Sequence, residues 1–235
     1  MATELKHHFV AFLDILGFSK MVETDMRSDE QVFLPRLFRC HNSASQIFRD
    51  DLNCSVTQFS DSIVVATPFN RETFKWFATH VAEYQRLLLD EGLLLQGGIA
   101  VNKHFSNGSF TFSAGVIAAY HVESQSARYP RVVVSPDLLQ LVFPDSKTPP
   151  SYLVQGDDGL MFIDYIGLSA RRKRDSLKRT ITEIVGRLLK NPSASVRGKG
   201  LWLASYSDAV LGTSLAPPRF LGSSIHDKTI PSRKK

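Results

Sequence analysis

Cysteine is scarce in this 235-residue chain: Cys40 and Cys54 are the only two. Neither belongs to a Cys-x-x-Cys pair or stands near paired histidines, which excludes a structural zinc site and a disulfide framework, so both are read as buried or idle thiols. Long apolar runs are also missing. None approaches the roughly 20 residues that a membrane span requires, and no membrane association is expected. The opening residues, Met1 to His8, lack a basic stretch followed by an apolar core and a small-residue cleavage site, so a cytoplasmic location is expected. No Gly-x-Ser-x-Gly, P-loop or dinucleotide-binding glycine fingerprint occurs. His-Val-Glu at 121–123 is not followed by the Pro-Cys-x-x-Cys that a zinc deaminase needs. There is no internal repeat.

What is present is an ordinary globular composition, 43% hydrophobic and 22% charged, with a formal net charge of +5. A positive balance suits polyanions, nucleotides as well as nucleic acid. Much of the excess lies in RRKRDSLKR (171–179) and the terminal PSRKK, neither interleaved with aromatic residues. A solvated helix face and a loose tail fit that pattern better than a nucleic-acid groove.

Residues 8–16 read as a strand ended by Gly17, and residues 19–50 as two successive helices broken near Pro35. CSVTQF and SIVVATP read as a hairpin with Asp61 at its tip. A helix over 70–91 ends at Gly92, and LLLQGGIAV (93–101) is a buried strand whose glycines permit close backbone approach. A strand passing into a helix follows over GSFTFSAGVIAAYHVESQSA, then the strand RVVVSP (131–136). The order β-α-α-β-β-α-β-(β)-α-β predicts an α+β, ferredoxin-like palm with helices on one face. After about residue 150 come a hairpin on a Gly-Asp-Asp-Gly turn and two helices, 173–191 and 197–211. The expected organisation is a palm over 1–150, a hairpin and helices packed on it over 151–213, and a flexible basic tail over 214–235.

Asp14 sits inside the apolar run FVAFLDILGF (9–18), where an unpaired carboxylate costs several kcal/mol. In the predicted topology the strand bearing Asp14 lies beside the hairpin bearing Asp61, so the two can face each other. Two carboxylates a few ångströms apart repel unless a cation sits between them, and Mg²⁺ accepts such sites with water and phosphate completing its shell. The Gly-containing turn at Ile15-Leu16-Gly17-Phe18-Ser19 opens a helix whose first N–H groups suit phosphate oxygens. Together these describe a metal–triphosphate site. Read singly, Asp14 is also an adequate helix cap and Asp61 an ordinary turn residue.

FLDILGF, FSDSIVVA, QGGIAV and AAYHVESQSARYPRVVVSP, in that order over roughly residues 8–165, resemble the class III nucleotidyl cyclases. The likeness is greatest to the pyrimidine nucleotide (uridylate and cytidylate) cyclases of bacterial Pycsar anti-phage systems. The resemblance implies a homodimer with active sites at the subunit interface. It implies two Mg²⁺ or Mn²⁺ ions per site, held by Asp14, Asp61 and the carbonyl of Ile15. The reaction it implies is cyclisation of UTP to 3′,5′-cyclic UMP with release of pyrophosphate, the product acting on a separate cyclic-nucleotide-sensing effector in antiviral defence. CTP is the alternative substrate, and a catalytically silent nucleotide-binding module the alternative role.

The sequence departs from the purine-cyclase pattern. Thr57 stands where those enzymes have a base-reading lysine, and Phe110 falls near their second base-reading position. Ile117 and His121 occupy the places of their Asn/Arg pair. Arg131 and His121 are therefore the catalytic candidates, since the transition state needs cationic help. Phe18, Ser19, Thr57 and Tyr120 are the substrate-binding candidates, with an interface role for Tyr120 and a core role for Phe18 as the competing readings.

Overall fold

The computed structural model describes residues 4–48, 53–144, 148, 150–168 and 174–218. The basic residues 171–173 and the tail beyond 218 lie outside these. The elements follow the order read from the sequence. Strand β1 (Lys6–Ile15) leads to helices α1 (Phe18–Met26) and α2 (Phe33–Ile47), then to the hairpin of β2 (Ser55–Phe59) and β3 (Ser62–Pro68). Helix α3 (Phe74–Asp90), β4 (Leu95–Ser106), β5 (Thr111–Ser113), α4 (Ala114–Ser126) and β6 (Val132–Val134) complete the first part. Then come α5 (Pro136–Val142), β7 (Leu153–Gln155), β8 (Met161–Ile163), α6 (Arg174–Leu189) and α7 (Ala194–Leu211).

The break between α1 and α2 is not made by Pro35. That proline is tolerated in the first turn of α2, where its missing N–H has no partner to lose. The buried carboxylate of Asp25 makes the break instead, accepting from the amides of Val32, Phe33 and Leu34 at 2.9, 2.9 and 2.7 Å. Helix α5 has no counterpart in the order read from the sequence. Ser135 caps it by accepting from the Leu138 amide, and Pro136 occupies its first turn.

Among the described residues, eight strands form one sheet in the order β2-β3-β1-β4-β6-β8-β7, with β5 paired to β4. Strand β1 runs antiparallel to both β3 and β4, whereas β4 and β6 are parallel. Because side chains alternate along a strand, β1 splits its apolar residues between two faces. Phe9, Ala11, Leu13 and Ile15 enter the main core with Phe74, Phe77, Val81 and Leu88. Val10 faces the other way, into a smaller cluster with Ala66, Ala100 and Ala119, against which Phe12 packs. The single-faced helical layer is thus joined by α4 on the reverse face. Gly98 permits this: a Cβ there would stand 2.4 Å from the Ala119 carbonyl and 2.6 Å from the Glu123 amide. The β7–β8 hairpin, built on Gly156 to Gly159, adds to the same sheet through β6 and β8. Among the described residues, no helix is long and apolar enough to cross a membrane.

Candidate active site

Asp14 is the penultimate residue of β1. The alternation that sends Leu13 and Ile15 into the main core turns Asp14 to the α4 face. Its cross-strand partners are Ser62 on β3 and Gln96 on β4. Asp61 occupies the tip of the β2–β3 hairpin, after Ser60 at φ 57°, and its carbonyl accepts from the Ile15 amide at 3.1 Å. The structure therefore brings Asp14, Ile15 and Asp61 together at one end of the sheet, on neighbouring strands.

Three carboxylates crowd this end of the sheet. Burial is the largest influence on Asp14, followed by the charges of Asp61 and Glu123, and together they push its carboxyl up to about 6. Lys199 opposes them. Glu123, buried on α4, is also raised by burial, while a hydrogen bond from the Gln96 side chain and the charge of Lys199 pull the other way. Lys199 projects from α7 and donates to the Arg128 carbonyl at 3.0 Å, just beyond the end of α4. The candidate site thus comprises Asp14 and Asp61, with Gln96 paired across from Asp14 and bonded to Glu123, and the charge of Lys199 acting from α7.

After Ile15 the chain turns through Gly17 at φ 80°, a left-handed conformation that glycine adopts without strain. Gly17 is the N-cap of α1, and no side chain caps this helix. The first-turn amides of Phe18 and Ser19 therefore lie immediately downstream of the carboxylates. Ser19 is exposed and Phe18 half-buried. Tyr120 is exposed on α4, with its ring 5.4 Å from Phe12 in an edge-to-face contact, on the same face as Asp14.

Other candidates lie elsewhere. Thr57 is exposed on β2, opposite Val64, one strand further from β1. His121 points to solvent on α4, and Ile117 is 60% exposed one turn before it. Arg131 is completely buried. Its guanidinium is paired with the Asp158 carboxylate, one of the two hydrogen bonds measuring 3.1 Å, and a third goes to the Ser126 carbonyl at 3.2 Å. The rings of Tyr129, Phe162 and Trp202 enclose it at 5.5, 5.6 and 5.9 Å. Arg131 is thus a structural cation here, shut away from solvent by the hairpin that carries Asp158.

Three residues stand outside the candidates read from the sequence. Glu123 had a signal: Gly115, Ala119 and Glu123 recur every four residues, and all three are buried where α4 meets the sheet. Gln96 had none, because its meeting with Asp14 depends on the pairing of β1 with β4. Lys199 lies in SVRGKG (195–200), which reads from sequence as a basic turn or helix start.

The donor set suits a hard cation that keeps most of its water. Among the described residues, no three His, Cys, Asp or Glu side chains gather in metal-ligating geometry. Two carboxylates beside an uncapped helix start are nevertheless the small protein share that Mg²⁺ takes. Burial and the neighbouring charges of Asp61 and Glu123 raise the Asp14 carboxyl, a crowding that a cation would relieve.

No protein family matches this chain, and none of the curated proteins does. Among solved structures it is similar to the guanylyl cyclase Cya2, at 15% identity and TM-score 0.49 over 69% of this chain and 93% of that one. It is also similar to the adenylyl cyclase CyaB from P. aeruginosa, at 15% identity and TM-score 0.46 over 73% and 98%. A third is the guanylate cyclase domain of RhGC from Catenaria anguillulae in complex with GTP, at 14% identity and TM-score 0.46 over 68% and 96%.

Proposed function

We propose that this protein is a nucleotidyl cyclase that converts UTP to 3′,5′-cyclic UMP and pyrophosphate. The observation that carries the reading is the convergence of Asp14 and Asp61 from neighbouring strands, immediately before the uncapped turn at Gly17. In the reaction the ribose 3′-oxygen attacks the α-phosphorus, its proton leaves, and the bond to the bridging oxygen of the pyrophosphate breaks. Held by Asp14, Asp61 and the Ile15 carbonyl, Mg²⁺ or Mn²⁺ would acidify the 3′-hydroxyl and neutralise the phosphates. The amides of Phe18 and Ser19 orient phosphate oxygens. Tyr120 offers a ring to the base on the same face. Pyrimidine selectivity is supported by the sequence, which lacks the purine-reading residues at Thr57 and Phe110.

A homodimer is part of this reading, supported by the exposed Phe59, Phe110, Phe112, Ile117 and Tyr120, which are 81%, 57%, 61%, 60% and 48% accessible in the single chain. A role for the product in antiviral signalling rests on the sequence resemblance. A second reading, a silent nucleotide-binding module, is favoured by Ile117 and His121 standing exposed where an Asn/Arg pair serves other cyclases.

The test is incubation of the protein with Mn²⁺ and each of ATP, GTP, CTP and UTP, products being resolved by chromatography and mass. Cyclic UMP from UTP, lost in Asp61→Ala, is expected. Cyclic CMP instead would move the substrate to CTP, and nucleotide binding without turnover would favour the silent module.

A further inference from the structure

At the other end of β1 from the carboxylates, two histidines from neighbouring strands meet. The β1–β4 pairing sets Lys6 opposite His104 and His8 opposite Asn102, so His8 and His104 are diagonal neighbours. Alternation places both on the face that carries Val10 and Ala100, and six residues of strand, about 20 Å, separate His8 from Asp14. Their ring centres are 5.1 Å apart, with the planes at 59°. Each ring has one nitrogen committed and one left over. His8 Nδ1 lies 2.9 Å from the Lys6 carbonyl, which only accepts, so Nδ1 carries the proton and Nε2 the lone pair. His104 Nδ1 lies 2.8 Å from the hydroxyl of Ser113, the N-cap of α4, which also accepts from the Val116 amide at 2.9 Å. His104 is only 4% exposed, and its Nε2 is buried with no hydrogen-bond partner among the described residues. A buried N–H without an acceptor is the costlier state, so the proton belongs on Nδ1, donating to Ser113, and Nε2 is again a bare lone pair.

An imidazole whose Nδ1–H is held by an oxygen and whose Nε2 is free is the form in which proteins present histidine to a metal. Two imidazoles on one tetrahedral ion, at Zn–N distances of about 2.0–2.1 Å, put their ring centres about 5 Å apart, the spacing found here. We propose that His8 and His104 form a metal site distinct from the carboxylates, taking Zn²⁺ or a similar divalent transition ion through their Nε2 atoms. Among the described residues, no third His, Cys, Asp or Glu joins the pair, so water completes the shell. The two ends of β1 then select different ions, since imidazole suits zinc, copper and nickel whereas carboxylate and water suit magnesium. Lys6, opposite His104, has its ammonium paired with Glu4 at 3.0 Å. An ion held here clamps the start of β1 to the junction of β4, β5 and α4, the helix that carries Tyr120 and Glu123. The scarcity of cysteine gives no hint of such a site, because the two histidines are 96 residues apart and meet only through strand pairing. The site is independent of the nucleotide reading.

The experiment is calorimetric titration of Zn²⁺ into the full chain with Mg²⁺ in excess, for the wild type, His8→Gln, His104→Gln and Asp61→Ala, with melting temperatures read with and without Zn²⁺. His8 is half-buried near the start of β1, so His8→Gln leaves the core untouched and decides the matter if buried His104→Gln does not fold. The wild type is expected to bind one Zn²⁺ per chain at this pair and to melt higher with it. Either histidine variant should bind Zn²⁺ at least about tenfold more weakly and lose the rise in melting temperature, while Asp61→Ala keeps both. A wild type that takes up no Zn²⁺ overturns the proposal. So does His8→Gln binding Zn²⁺ as the wild type does, which would place the ion on other histidines, or loss of binding in Asp61→Ala, which would place it on the carboxylates. If the two histidines merely brace the strand junction, His8→Gln lowers the melting temperature and Zn²⁺ changes nothing in either protein, which also overturns it.

Discussion

Two charged groups, the fully buried Arg131 just before β6 and the half-buried Asp14 near the end of β1, are treated in opposite ways. On the β6 side, Arg131 is paired with Asp158, hydrogen-bonded to the Ser126 carbonyl and wrapped by three aromatic rings. Its partner gains from the arrangement: the hydrogen bond from Arg131 holds the Asp158 carboxyl below its ordinary range. On the β1 side, Asp14 meets two further carboxylates and is pushed upward by burial and by their charge. Folding has neutralised the first group internally and left the second short of positive charge. On the proposed reading, the compensated charge serves stability and the unbalanced one is held for a ligand.

Breaking each pole of this comparison should therefore damage different properties. Asp14→Asn should reduce cyclic nucleotide formation by about 1000-fold or more while leaving the melting temperature unchanged or raised, because a repulsive charge is removed. Asp158→Ala should do the reverse. It strands a fully buried guanidinium and should cost about 3–5 kcal/mol in urea denaturation, while turnover persists at temperatures where the variant remains folded. Loss of turnover in folded Asp158→Ala would return Arg131 to the catalytic machinery.

Gly98→Ala tests how the α4 side of the site is positioned. The added methyl group would press on the backbone at Ala119 and Glu123, displacing the helix that carries Glu123 and Tyr120. A stability loss of about 3 kcal/mol in the same denaturation, with a fall in turnover of about 100-fold, is expected.

The smallest effect is a pH dependence. The Asp14 carboxyl is raised from 3.8 to about 6 by folding, so between those values the folded chain binds more protons than the unfolded one. Without metal, the Asp14 contribution to stability is fully present below about pH 4 and is lost as pH rises through 6. On the order of 1–2 kcal/mol should disappear across that window, with Asp14→Asn flattening the slope. Added Mn²⁺ requires the ionised carboxylate, so its binding should strengthen over the same rise in pH.

Much of this is legible in the sequence. The apolar setting of Asp14, the two-residue turn at Asp61 and the glycine at 17 are local signals, and local signals marked one end of the sheet as unusual. Periodicity also gave the element order, because strand alternation and helical spacing are written in consecutive residues. Less legible were features that depend on what lies across a gap. Pro35 drew attention from Asp25, whose carboxylate caps a helix seven to nine residues away. Arg131 matched the expected motif in sequence, yet its charge is taken by Asp158, 27 residues further along the chain.

Sequence alone determined where carboxylates interrupt apolar strands, which stretches alternate or repeat at helical spacing, and where glycine must turn the chain, since each depends on neighbours a few residues apart. Tertiary structure alone decided that Gln96 meets Asp14, that Glu123 is buried beside them, that Arg131 is compensated and that Lys199 is not confined to a surface turn. These outcomes depend on strand pairing and helix docking between residues tens to nearly two hundred positions apart, and electrostatic energy follows distance in space, not separation along the chain.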